Sequence, residues 1–167
     1  LLPGHHYHAA SQMENDALPA FRRVASGLTA FNEGWAEYAS NLAEEMGVYE
    51  NPDALLGRLM LNQMMFSRLV VDVGLNYDGW SLERARRFMR ENTFLSATEI
   101  DSETLRYSAD LPGQALAYGA GYHAFGELRL AMQAKLGDRF DIRRFHTEVI
   151  RHGARSEEHT SELQSPC

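Results

Sequence analysis

From Thr29 to Ala154 the apolar side chains recur every three or four positions, and the segments they mark are separated by short glycine, proline or asparagine breakers. Such spacing belongs to helices that bury one face. No alternating β-branched run is present, and no Asn-Gly or Asp-Gly turn joins two such runs, so the fold class is read as all-α. Thr29 to Met46 carries Phe31, Trp35, Tyr38, Ala39 and Leu42 on one stripe, with Gly47 placed to stop the helix. Asn51 is an N-cap with Pro52 in the first turn, and Leu55, Leu56, Leu59, Met60 and Met64 mark a stripe expected to be buried as far as Val73, closed by Gly74. Ser81 caps a helix to about Asn92, and Thr98 another that reaches Leu105, Arg106 and Tyr107.

The longest element is expected from Pro112 to Leu136, ending at Gly137. Gly119, Gly121 and Gly126 lie inside it, and each costs about 1 kcal/mol relative to alanine, which implies close approach of another backbone or of a ligand. Asp141 then caps a final helix with Ile142, Phe145, Val149 and Ile150 on its apolar side. No repeat or linker interrupts the pattern, so residues 1–154 are read as a single helical unit. From Arg155 the segment RSEEHTSELQSPC has no aromatic residue and no helical apolar period. It back-translates to a common sequencing adapter, and 155–167 is therefore expected to be a non-native tail.

Several classes of function are excluded. No apolar run approaches the roughly 18 to 20 residues that a membrane-spanning helix needs. Sixteen Lys and Arg stand against 23 Asp and Glu, a formal net charge of −7, and no stretch gathers basic with aromatic residues, so nucleic acid is not an expected partner. The single cysteine is Cys167, so no intrachain disulfide forms and any metal must use histidines and carboxylates.

Two clusters suit a metal. The segment PGHHYH places His5, His6 and His8 in four residues, and neutral imidazole is a ligand for zinc. Histidines exposed to solvent or packed in the interior are the alternative. The segment FNEGWAEY places Glu33 and Glu37 four apart, on one face of a helix beside Trp35 and Tyr38, where a carboxylate needs a metal or an arginine to offset its desolvation; two solvated carboxylates beside a core stripe are the alternative. A histidine segment followed by a glutamate-bearing helix is the order found in gluzincin metallopeptidases.

Seven ordered motifs extend this: LLPGHH at 1–6, NEGWAEY at 32–38, RLVVDVGLN at 68–76, GW at 79–80, RY at 106–107, PGQALAY at 112–118 and FH at 145–146. Together they resemble the bacterial family grouped as domain of unknown function 885, whose pattern includes H-E-x-x-P-G-H-H, E-G-W-A, R-L-V-V-D-x-G-L-H, R-Y and P-G-Q-A-x-x-Y. The resemblance implies a multi-helix, C-terminal part of a gluzincin-like zinc peptidase that begins inside the H-E-x-x-P-G-H-H motif. It implies His5 as a zinc (Zn2+) ligand with His6 as second choice, and Glu33 as the carboxylate ligand with Glu37 as competitor. Tyr118, Tyr107 and Arg106 are the candidates to stabilise the oxyanion or to hold the substrate carboxylate, with His123 behind them; helix packing and an ordinary ion pair are the alternative.

Arg68 and Asp72, four apart, are expected to form a local ion pair. Asn76 stands where the family pattern has histidine, and Gly119 where it usually has lysine. The implied activity is hydrolysis of a peptide substrate by metal-activated water. Residues 1–154 alone are expected to be inactive, because the first histidine and the general base belong to an upstream part of the same chain, its other expected partner. The alternative is a helical homologue without catalysis that acts as a binding or scaffold module. Localisation is left open.

Overall fold

In a computed structural model the described residues are 4–24 and 28–154. The expectations about Leu1, Leu2 and the segment 155–167 lie outside them. The elements are α1 (His5–Met13), α2 (Ala20–Val24), α3 (Thr29–Glu45), α4 (Pro52–Asn76), α5 (Leu82–Asn92), α6 (Ala97–Leu105), a π-helical turn (Arg106–Asp110), α7 (Leu116–Leu136), a 3-10 turn (Gly137–Arg139) and α8 (Ile142–Ile150). Among the described residues there is no strand, and the protein is all-α. No described helix is long and apolar enough to cross a membrane.

Local chemistry sets these boundaries. Asn51 accepts a hydrogen bond from the Ala54 N–H at 2.9 Å with Pro52 at the first helical position, and Ser81 and Asp141 accept from Arg84 N–H and Arg144 N–H at 3.2 and 2.8 Å. Gly47, at φ 69°, ends α3 in the left-handed conformation that glycine adopts without a Cβ clash.

Six expectations are corrected. The helix after Asn51 does not close at Gly74 but runs on to Asn76, because Gly74 is buried under the Trp80 indole, where a Cβ would meet the ring. The sixth helix is capped by Ser96, not Thr98: Ser96 accepts from the Glu99 N–H while the Glu99 carboxylate accepts from the Ser96 N–H, a reciprocal pair that Thr98 cannot make. The longest helix is α4, with 25 residues, and α7 begins at Leu116 instead of Pro112. The N–H groups of Gly113 and Ala115 are taken by the Asp72 carboxylate, which holds 112–115 as turns. Leu56 and Leu59 are about half exposed (53% and 51%), so the expected buried stripe of α4 is open at its N-terminal end. Finally, Arg68 does not pair with Asp72, for reasons given below. The helices α1 and α2 and the π-helical turn add to the expected elements.

The chain clusters into two compact units, one from residues up to Asn41 together with those from Ala120 onward, the other Leu42–Gly119. In the first, α3 and α7 meet backbone to backbone. A Cβ on Gly34 would fall on the Gly121 main chain, and one on Gly121 on the Ala30 carbonyl. The contact lets Phe125 set its ring edge-on to Phe31 at 5.3 Å and to Trp35 at 5.8 Å. Gln12 fastens α1, its amide donating to the Arg22 carbonyl at 2.6 Å and its oxygen accepting from the Ala154 N–H at 3.0 Å. The second unit packs Val71, Ala85, Met89, Ile100, Tyr107 and Ala115 into one core, with Leu75, Trp80, Phe88 and Leu95 against it.

The glycines of α3 and α7 therefore differ in kind. Gly34→Ala is expected to destabilise the protein by about 1–3 kcal/mol through overpacking, whereas Gly126→Ala, where a Cβ meets nothing within 4 Å, is expected to stabilise it by about 0.5–1 kcal/mol. Thermal unfolding followed by circular dichroism checks both signs.

Candidate functional site

Gly4 precedes α1, and its carbonyl accepts from the His8 N–H at 3.2 Å, so the histidine segment enters the helix at His5. Glu33 stands on α3 directly before the Gly34 contact. His5 Nε2 lies 3.2 Å from Glu33 Oε2, with the two side chains 53% and 21% exposed. Of the two glutamates, His5 meets Glu33. His6 is exposed, and Glu37, one turn along α3, is half-buried.

The pair has the donor types that zinc takes, one imidazole nitrogen and one carboxylate oxygen converging on one point. A neutral His5 presents a lone pair at Nε2 in one tautomer and an N–H donor to Glu33 in the other. Among the described residues no three His, Cys, Asp or Glu side chains gather in a group that would hold a metal ion.

His8 lies one turn beyond His5 and is buried, its ring 5.1 Å from that of Phe31. Its pKa is lowered, first by desolvation and then by His5, and its Nε2 has no hydrogen-bond partner. It is thus held neutral. Behind α3, the Tyr38 hydroxyl is 2.9 Å from His146 Nε2, and His146 stands edge-on to Trp35 at 5.5 Å. His146 was not singled out as a site residue in the sequence, where it reads as one more position of a helix; the motif FH was its only signal.

Of the other candidates, Tyr118, Tyr107 and Arg106 belong to the second unit and His123 to the first. Tyr107 is buried, and its hydroxyl donates to Glu103. Burial first, and that hydrogen bond second, raise its pKa far above the ordinary tyrosine value, so it remains protonated. Arg106 Nη1 lies 3.5 Å from Glu103 Oε1, a partly exposed i,i+3 pair. His123 is exposed.

Arg68 is buried at 3% exposure with no carboxylate among the described residues at ion-pair distance. Its guanidinium lies over the rings of Tyr118, at 4.5 Å, and Tyr107, at 5.2 Å, and donates to Gln114 Oε1 at 3.3 Å. Asp72, which was expected to pair with it, instead accepts from the Gly113 N–H at 2.8 Å, the Ala115 N–H at 3.2 Å and the Asn76 amide at 2.9 Å. Two backbone donors in a fixed turn satisfy the buried carboxylate without a cation. Asn76 also donates to the Tyr107 carbonyl at 3.1 Å, tying the end of α4 to the π-helical turn.

A family described as "Bacterial protein of unknown function (DUF885)" has a sequence model that matches residues 1–156. The chain belongs to the DUF885 family. Two solved structures are similar. One, "the putative lipoprotein from Colwellia psychrerythraea", is 40% identical with a TM-score of 0.92 over 97% of this chain. The other, "a putative lipoprotein of unknown function from Shewanella oneidensis", is 21% identical with a TM-score of 0.87 over 98% of this chain, a likeness of fold alone. The DUF885 chain described here spans 28% and 29% of those two chains. No curated protein matches it.

Because the folded state refuses a proton at His8 that the unfolded chain accepts near pH 6.5, stability is full above that pH and falls on acidification. Stability is therefore expected to be lower at pH 5.5 than at pH 7.5. Urea unfolding at the two pH values measures it. His8→Phe should flatten the difference, and an unchanged pH dependence in that variant would count against the assignment.

Proposed function

We propose that the chain is part of a zinc-dependent peptidase in which His5 and Glu33 are two of the metal ligands. The observation that carries this reading is the 3.2 Å approach of His5 Nε2 to Glu33 Oε2 across two helices, since these residues belong to two separate motifs of the DUF885 pattern. His6 is the second choice for the histidine ligand and Glu37 for the carboxylate. When bound, zinc would supply a Lewis acid that acidifies water and polarises a peptide carbonyl.

The residues of the chain have separate tasks. The backbone contact at Gly34 holds Glu33 in place, and Gly4 starts the helix that presents His5. The aromatic wall of Phe31, Trp35 and Phe125 keeps water from the inner side of α3.

A second reading, a helical module that binds without catalysing, is favoured by Asn76, whose amide is committed to Asp72 and to the Tyr107 carbonyl in the place where the pattern has histidine.

Metal analysis of the intact protein that carries this chain decides between them. About one zinc per chain is expected, with Glu33→Gln lowering zinc affinity at least tenfold and abolishing peptide hydrolysis. Full zinc content in Glu33→Gln, or hydrolysis that survives chelation, would contradict the peptidase reading; no zinc and no hydrolysis in the unaltered protein would leave the binding module.

A further inference from the structure

We infer that Arg68, Gln114 and Tyr118 form a receptor for a carboxylate, and that the ligand it takes is the C-terminal carboxylate of a peptide. In naming a peptide, the inference rests on the peptidase reading. The cluster itself requires no metal.

Donors outnumber acceptors at this point of the fold. Arg68 brings a guanidinium with five N–H groups, of which Nη2 donates to Gln114 Oε1 at 3.3 Å and Nη1 faces the Met65 sulfur at 3.5 Å, while the buried Nε has no partner. The Gln114 amide nitrogen donates to the Tyr118 hydroxyl oxygen at 3.2 Å. That hydroxyl oxygen is therefore an acceptor, and its own O–H has no acceptor among the described residues. The cluster thus holds a buried cation, an amide N–H2 and an O–H donor, against three neutral acceptors, the Gln114 carbonyl, the Tyr118 hydroxyl oxygen and the Met65 sulfur.

A buried charge is ordinarily balanced by an opposite one, and leaving it unbalanced is costly. The rings of Tyr107 and Tyr118 offset part of that cost through their π faces. They supply no lone pair in the guanidinium plane. A carboxylate displacing Gln114 Oε1 would accept a charge-assisted bond from Arg68 Nη2, stronger than the present long bond to a neutral amide. The Gln114 nitrogen and the Tyr118 hydroxyl could then donate to its second oxygen. Gln114 and Tyr118 are both partly exposed, which gives the ligand its approach.

The geometry is built for this and is not an accident of one helix. Arg68 comes from α4, Tyr107 from the π-helical turn, and Gln114 and Tyr118 from the turn and first residues of α7. Asp72, one turn after Arg68, pins the backbone on both sides of Gln114 through the Gly113 and Ala115 N–H groups. With its carboxylate so engaged, Asp72 leaves Arg68 without the counter-ion that i,i+4 spacing normally supplies. Arg106, by contrast, already has Glu103.

The test is calorimetric titration of the intact, metal-stripped protein with N-acetyl-phenylalanyl-leucine as the free acid and as its C-terminal amide. The acid is expected to bind at least tenfold tighter than the amide. Tyr118→Phe keeps the ring under Arg68 and removes only the hydroxyl, so it should lower acid affinity severalfold and leave amide affinity unchanged. Arg68→Gln should abolish the preference. Should that variant fail to fold, the acid-to-amide ratio of the unaltered protein and of Tyr118→Phe still decides. Equal binding of acid and amide, no binding of either, or a ratio unmoved by Tyr118→Phe would each overturn the inference. Because zinc is absent from the titration, such a failure is distinct from a failure of the zinc assignment.

Discussion

The approach of α3 to α7 at Gly34 and Gly121 is the constraint on which the first unit depends. Two helices come this close only where both backbones lack a Cβ, and here each glycine sits against the other helix's main chain. Glu33 precedes Gly34 directly, so the contact that orders the aromatic wall also fixes the carboxylate that His5 reaches. Structure and candidate chemistry share one device. An alanine at position 34 would press on the packing and on the position of Glu33 together.

The second unit depends on a carboxylate used as a backbone clamp. Asp72 is 1% exposed and collects the N–H groups of Gly113 and Ala115 with the Asn76 amide. Charge-assisted bonds to N–H groups held in a turn are among the stronger hydrogen bonds available to a buried group. The clamp delays the start of α7 until Leu116 and turns Gln114 toward Arg68. Asp72 and Arg68 thus look like an ion pair in sequence and act as two separate anchors in space.

Much of the helical layout was legible because it rests on local rules. The Asn51, Ser81 and Asp141 caps and the Gly47 stop follow from side chains or backbone freedom within a few residues. What was not legible depends on partners distant in sequence. Gly74 reads as a stop until Trp80 folds over it, and Thr98 competes with Ser96 until Glu99 completes the reciprocal cap. The opening of Leu56 and Leu59 to solvent depends on what packs there, which periodicity does not report. At the candidate site, the motifs named His5 and Glu33 from either side of a 28-residue separation, and the fold brings them into contact. The i,i+4 spacing of Arg68 and Asp72 reads as an ion pair because it says nothing of the turn 41 residues on, whose Gly113 N–H the Asp72 carboxylate accepts instead.

In the proposed function His5 and Glu33 are metal ligands and not an ordinary ion pair. Anomalous diffraction at the zinc absorption edge, from crystals of the intact protein grown with zinc, separates the two. One strong peak is expected about 2.0–2.2 Å from His5 Nε2 and from a Glu33 carboxylate oxygen. Crystals with no peak there, or with His5 and Glu33 still in direct contact and zinc bound elsewhere, would contradict it.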